Sequence, residues 1–159
     1  MDIVINVHKK ILQCLVGDDV VQEYSISTAK NGVGEQWGSE CTPRGKHIIR
    51  AKIGAQSKEN SVFVGRRLTG EIFSEDMRVM HPERDWILTR ILWLSGLEVG
   101  KNRLGRVDTM RRYIYIHGCP GSDEMGIASS HGCIKMRNSD LIELFDKVSV
   151  GSNVTIIEE

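Results

Sequence analysis

Short apolar runs at strand period, each closed by a glycine, aspartate or lysine turn, constrain this chain more than any other feature. Ile3, Ile5 and Val7 alternate as one face of a half-buried strand does. His8-Lys9-Lys10 can turn the chain, and Ile11 to Val16 forms a second strand. Gly17-Asp18-Asp19 is a turn, and Val20 to Ser27 a third strand. Residues 30–38, with three glycines, form an irregular loop. Thr42-Pro43-Arg44-Gly45 is a further turn before a strand over 46–53. Residues 54–61 are loop, 62–64 a short strand, and 75–84 carry no clear period. Over 86–94, Ile87, Thr89, Ile91 and Trp93 alternate, which favours strand over helix. Residues 96–108 are a glycine-punctuated loop, and 113–116 a strand ending at His117-Gly118.

Only one segment reads as a convincing helix. It starts at Asn138 or Ser139 and runs to about Lys147. Leu141, Ile142, Leu144, Phe145 and Val148 supply its apolar face, and Asp140 and Lys147 suit its two dipole ends. Gly151 stops the excursion before a closing strand at 154–157. Many short strands with one helix predict a mostly β sandwich or barrel over residues 1–159, as a single domain with no linker or repeat.

Lys plus Arg and Asp plus Glu both total 21, so no net field draws the chain to nucleic acid or an anionic membrane. No run of about 18 apolar residues is present, so no transmembrane helix is expected. The start, Met1-Asp2-Ile3-Val4-Ile5-Asn6, reads as a strand and not as an export signal. The expected location is therefore the cytoplasm, or the periplasm if a leader has been removed. In the cytoplasm, Cys14, Cys41, Cys119 and Cys133 are expected as free thiols. Cys14, within an apolar run, fits a small core residue.

The chemistry concentrates in Ser129-Ser130-His131-Gly132-Cys133-Ile134-Lys135-Met136, whose Cys133 lies sixteen residues beyond His117. A thiol is mostly protonated near neutrality, so a neighbouring imidazole is needed to hold Cys133 as thiolate. His117 follows a strand and Cys133 precedes the helix, both at element ends where a scaffold can fix them. His117 can take the thiol proton and return it to a leaving amine. The backbone at Gly118 can fix its tautomer. The N–H groups of Gly132 and Cys133 are candidate oxyanion donors, and His131 a supporting group.

Two other readings compete. Lys135 and Arg137 can be a plain solvated basic face, and the glycines plain turn residues. His117-Gly118-Cys119 and His131-Gly132-Cys133 also supply two His and two Cys, a tetrahedral zinc set. One residue between each His and Cys is short for a shared ion, so no metal is expected.

The same residues resemble the signature of the L,D-transpeptidase catalytic domain, or YkuD domain. His117-Gly118 matches that family's strand-end pair, and Ser130-His131-Gly132-Cys133-Ile134-Lys135-Met136 its cysteine motif. Ser27-Thr28-Ala29 and Thr42-Pro43-Arg44-Gly45 are similar to its Ser-Thr-Gly and Thr-Pro-x-Gly turns, and Asp140 and Gly151 also fit. The resemblance implies a mostly β fold and a cysteine acyl-enzyme, with no cofactor. It implies attack on peptidoglycan stem peptides between the L-centre of the third residue and the terminal D-alanine. Cys133 is then the nucleophile, His117 the base and the Gly118 carbonyl the orienting group. Ser130, His131, Gly132, Lys135 and Arg137 line the substrate or oxyanion site. Lys135 stands where the family usually carries Arg or Asn, and keeps the charge without bidentate geometry. Cys119 lies outside the pattern and is a candidate for an inactivating bond to Cys133.

An amine attacking the thioester gives a 3→3 cross-link; water gives an L,D-carboxypeptidase. An N-terminus without an export signal favours water, with a tetrapeptide or soluble muropeptide as substrate in murein recycling.

Overall fold

A computed structural model describes all residues, 1–159, as eleven strands and two helices. The strands are β1 (Asp2–Asn6), β2 (Ile11–Val16), β3 (Asp19–Ala29), β4 (Gly45–Ile53), β5 (Ser61–Val64), β6 (Arg67–Ile72), β7 (Ile87–Gly96), β8 (Tyr115–Gly118), β9 (Ala128–Ser130), β10 (Ile134–Met136) and β11 (Asn153–Ile157). The helices are α1 (Glu75–Met80) and α2 (Asn138–Lys147). Strand pairing runs β4-β11-β1-β2-β3-β10-β8-β7, and β7 pairs back onto β4. The ring is thus closed, which removes its edges. The β5–β6 hairpin extends the sheet from the start of β7, and β9 pairs with β3.

The alternation read in β1 is the inward face of this ring, whereas in β7 the alternating Ile87, Ile91 and Trp93 pack on the other side and Leu92 and Leu94 point inward. Ile3, Ile5, Leu12, Cys14, Ile26, Ile49, Leu92, Leu94, Ile116, Ile134 and Val154 are buried in one cluster. From α2, Leu141, Leu144 and Phe145 join it; Ile142 stays half-buried. Cys14 is a fully buried core residue.

Four elements were not assigned from the sequence. β9, at three residues, is too short to show a period. β6 falls between the short strand at 62–64 and the stretch at 75–84; its residues are nearly all exposed, so they carry no buried period. The polar stretch after it forms the short helix α1, which buries nothing. A strand, β10, intervenes between Cys133 and α2, so the cysteine precedes a strand and not the helix directly.

Asn138 locks the start of α2 to the wall. Its Nδ2 donates to the Cys119 carbonyl at 2.9 Å and to Asn60 Oδ1 at 3.1 Å. Its Oδ1 accepts from Thr89 Oγ1 at 2.8 Å. Thr89 holds φ +76 within a bulge where the β7–β8 register shifts. Replacing Asn138 with Ala leaves buried polar groups unpaired, so we expect a loss of about 2–3 kcal/mol in urea unfolding.

His47 gives the fold a pH dependence. It is buried, with Nε2 2.9 Å from Thr109 Oγ1, and burial pulls its pKa down to about 4. The unfolded chain therefore binds the extra proton more readily between the ordinary histidine value and about 4. Stability should be full above pH ~6.5 and fall as pH drops toward 4, by at most about 3 kcal/mol from this group. Urea midpoints at pH 7 and pH 4.5 check this, and His47→Gln should flatten the difference.

Candidate active site

β8 and β10 run parallel with Ile116 opposite Ile134 and His117 opposite Lys135. Side chains alternate across a strand. Ile116, Ile134 and Met136 enter the core, so His117, Tyr115, Lys135 and Cys133 share the opposite face. The sequence motif and the distant His-Gly pair are thus brought together by one parallel pairing.

The Cys133 thiol sits between two backbone groups. The Tyr115 N–H donates to sulfur at 3.3 Å, and the thiol donates to the Tyr113 carbonyl at 3.4 Å. His117 is buried, and its Nδ1–H donates to the Gly118 carbonyl at 2.7 Å. That bond leaves Nε2 as the free lone pair. Gly118 itself cannot carry a side chain, because a Cβ would meet Asn138 Oδ1 and the Leu88 carbonyl.

Burial pushes the Cys133 thiol up to about 12; the Tyr115 N–H works against that, and Asp85 adds to it. Burial also holds His117 below its ordinary value, with Asp85 and the Gly118 carbonyl opposing. Desolvation thus favours the neutral form of each partner, in opposition to the thiolate that pairing with an imidazole would favour.

The loop before the cysteine is built on Ser130. Its Oγ donates to the Cys133 carbonyl at 2.5 Å and accepts the Gly132 N–H at 3.2 Å. The Gly132 N–H is thus already committed. The Cys133 N–H forms no turn or loop hydrogen bond to the backbone. Gly132 holds φ +127, and a Cβ there would press on Ile114 and the Cys41 carbonyl. Thr42, fully buried, donates to the Gly132 carbonyl at 3.0 Å and accepts the Ala29 N–H at 3.0 Å. The Thr-Pro-x-Gly turn thereby braces the cysteine loop.

His131 is exposed, with Nδ1 3.9 Å from Asp85. It borders two clefts. One, of about 470 Å³, is lined by Arg78, Arg84, Asp85, Asp123 and Lys135 among others. The other, of about 220 Å³, is lined by Trp37, Gly38, Glu40 and Arg112. Lys135 is no solvated basic residue: it pairs with Asp123 at 2.9 Å, which also pairs with Arg78 at 2.6 Å. Arg137 is exposed and lines a neighbouring cleft beside Cys119 and Asn138, apart from the thiol.

Cys119 does not meet Cys133. Its thiol is buried, bonded to the Met136 carbonyl at 3.4 Å, and burial raises it to about 11. Cys133 lies across from Tyr115, four residues back along β8, or about 13 Å at strand rise. A disulfide needs Cα atoms within about 7 Å, so neither the bridge nor a shared zinc site can form without rebuilding the strands. The geometry gathers no group of three or more metal-ligating side chains. Activity should therefore survive chelation, and elemental analysis finding about one zinc per chain would contradict this arrangement.

The L,D-transpeptidase catalytic domain, or YkuD, matches residues 1–156. The chain belongs to this family. Its relatives include the probable L,D-transpeptidase YbiS of Escherichia coli, 44% identical over 48 residues, 30% of this chain and 16% of that protein. The putative L,D-transpeptidase YqjB of Bacillus subtilis is 23% identical over 157 residues, 99% of this chain and 71% of that protein. The L,D-transpeptidase from Mycobacterium smegmatis superposes with a TM-score of 0.55 at 18% identity, over 98% of this chain and 57% of that one. That from Xylanimonas cellulosilytica gives 0.54 at 18% identity, over 98% and 59%. These likenesses establish the L,D-transpeptidase fold. The chain matches only a sixth of YbiS and spans little more than half of each superposed structure. No helix is long and apolar enough to cross a membrane.

The sequence reading missed three parts of this L,D-transpeptidase site. Tyr113 and Tyr115 act through backbone groups that any residue supplies, so no residue type signals them. Asn138 read as a helix start, not a buried clamp. Asp85 falls between the stretch without period at 75–84 and the strand read from Trp86, so nothing in the pattern marks it.

Proposed function

We propose that residues 1–159 act as one catalytic unit, a cysteine acyl-enzyme acting on peptidoglycan stem peptides. The observation that carries the reading is the shared face of β8 and β10, with Cys133 and His117 outward from one parallel pairing. Family membership supplies the substrate class.

His117 Nε2 takes the thiol proton as Cys133 sulfur attacks the carbonyl carbon of the third residue. The uncommitted Cys133 N–H is placed to donate to the tetrahedral oxyanion. As the carbon–nitrogen bond breaks, the protonated imidazole gives its proton to the leaving D-alanine amine. A thioester remains. Asp85 favours the transient imidazolium, and the net positive triad of Arg78, Asp123 and Lys135 suits a substrate carboxylate.

Water resolves the thioester in our reading, giving an L,D-carboxypeptidase that converts tetrapeptide to tripeptide, at work in the cytoplasm on recycled muropeptides. The larger cleft is lined by Ser129, His131 and Lys135, which flank Cys133 in the chain, and water needs no second peptide ordered there. A second reading, transpeptidation, is favoured by Glu40 beside Trp37 and Arg112 in the smaller cleft, where a carboxylate suits an incoming ammonium.

Incubation with tetrapeptide, with and without an added amine acceptor, separates the two by product mass. We expect tripeptide plus free D-alanine, and poor turnover of pentapeptide. A cross-linked dimer as main product would replace water by amine. No product from any stem peptide would remove the substrate assignment.

A further inference from the structure

The turn between β5 and β6 lays one side chain against the backbone that holds the thiol. Gly65 and Arg66 both have positive φ, 56° and 65°, as a two-residue hairpin turn requires. The turn presents Arg66 to three aromatic residues. Its guanidinium carbon lies 4.7 Å from the Trp93 ring centroid and 4.8 Å from that of Tyr113. Its Nη1 donates to Tyr115 Oη at 3.0 Å.

Each of these residues bears on Cys133. The Tyr113 carbonyl accepts from the thiol, and the Tyr115 N–H donates to it. Trp93 Nε1 and the Tyr113 N–H both donate to the Met110 carbonyl at 3.1 Å, which ties the ring and the backbone together. Tyr113 itself holds φ +56, an uncommon conformation for a bulky residue. Such a backbone persists only where its surroundings over-determine it. Arg66 is the one charged group spanning both tyrosines.

We propose that Arg66 is a positioning residue for acyl transfer: by clamping Tyr113, Tyr115 and Trp93, it fixes the two backbone groups that orient the Cys133 thiol. This rests on the reading of Cys133 as nucleophile. Without the clamp, segment 113–115 relaxes, and the sulfur loses its fixed line to the carbonyl carbon. Small displacements of this kind cost rate far more than binding. Lysine keeps the charge but lacks the planar fork, so it cannot stack on two rings while bonding a phenol.

The test compares Arg66→Ala, Arg66→Lys and Tyr115→Phe with the wild type and with Arg67→Ala, an exposed neighbour in the same hairpin. Thermal unfolding is followed in parallel. The first readout is the rate of iodoacetamide alkylation of Cys133 at one fixed, mildly alkaline pH, mapped by peptide mass so that the other cysteines do not contribute. It needs no stem peptide, so it stands or falls separately from the substrate assignment. We expect that rate to fall several-fold in Arg66→Ala and Tyr115→Phe, because the Tyr115 N–H no longer supports the thiolate. The second readout is turnover of tetrapeptide, where kcat should fall on the order of tenfold to a hundredfold with KM little changed. Arg66→Lys should rescue neither, and Arg67→Ala should match wild type in both. An unchanged alkylation rate in both Arg66→Ala and Tyr115→Phe would overturn the proposal. So would a faster rate, which means that Arg66 only shields the thiol from the reagent.

Discussion

Cys133→Ala should reduce turnover of tetrapeptide by on the order of 10⁴-fold or more, to the background of the assay. The three remaining thiols are bonded or buried elsewhere. Cys14 is in the core, Cys41 bonds the Asn31 and Ser39 carbonyls, and Cys119 bonds the Met136 carbonyl. Cys119→Ala should accordingly leave most of the rate intact. The fold should tolerate the Cys133 change, since that side chain is only half-buried and its two partners are backbone groups. Equal unfolding midpoints with divergent rates would separate chemistry from stability. Wild-type turnover in Cys133→Ala would mean that the thiol takes no part.

His117→Gln should lower kcat/KM by about 10²- to 10⁴-fold and change the shape of its pH profile. In the wild type, burial holds the imidazole below its ordinary value, so the base stays neutral and competent into mildly acidic solution. The acid limb should therefore lie below pH ~6.5. The thiol, pushed up to about 12, contributes no alkaline loss in the accessible range, because ionising it only helps attack. In His117→Gln that compensation is all that remains. Residual activity should then rise steadily with pH as thiolate forms unaided. A pH profile unchanged by the substitution would show that another group is the base.

The parts of the fold legible in the sequence are those with one buried face. Ile3 and Ile5, and Leu12 and Cys14, declare their period because alternate positions enter the ring. β7 is covered on both faces, and the residues whose alternation marks it, Ile87, Ile91 and Trp93, lie on the face away from the main core. β6 lacked that signal, since an edge hairpin strand with both faces open has nothing to alternate. β10 was hidden by its length: three residues are too few for a period, though they carry the pairing on which the site depends. The site motif was legible because Ser130 to Cys133 acts locally, with Ser130 closing its own loop. What surrounds it was not. The thiol is gripped by the main chain of Tyr113 and Tyr115, and steadied by Arg66 from a hairpin about fifty residues upstream. Residue type also leaves out the surroundings: a cysteine near a histidine suggests an ion pair, whereas desolvation at this site favours the neutral forms.

The most direct measurement is the intact mass of the protein quenched during turnover of a tetrapeptide stem, followed by peptide mapping. The account predicts a covalent adduct equal to the tripeptide acyl group, attached to Cys133 as a base-labile thioester and absent from Cys133→Ala. D-alanine should be released in step with its formation. An adduct on any other residue, or turnover that continues in Cys133→Ala, would contradict the cysteine acyl-enzyme at the centre of this reading.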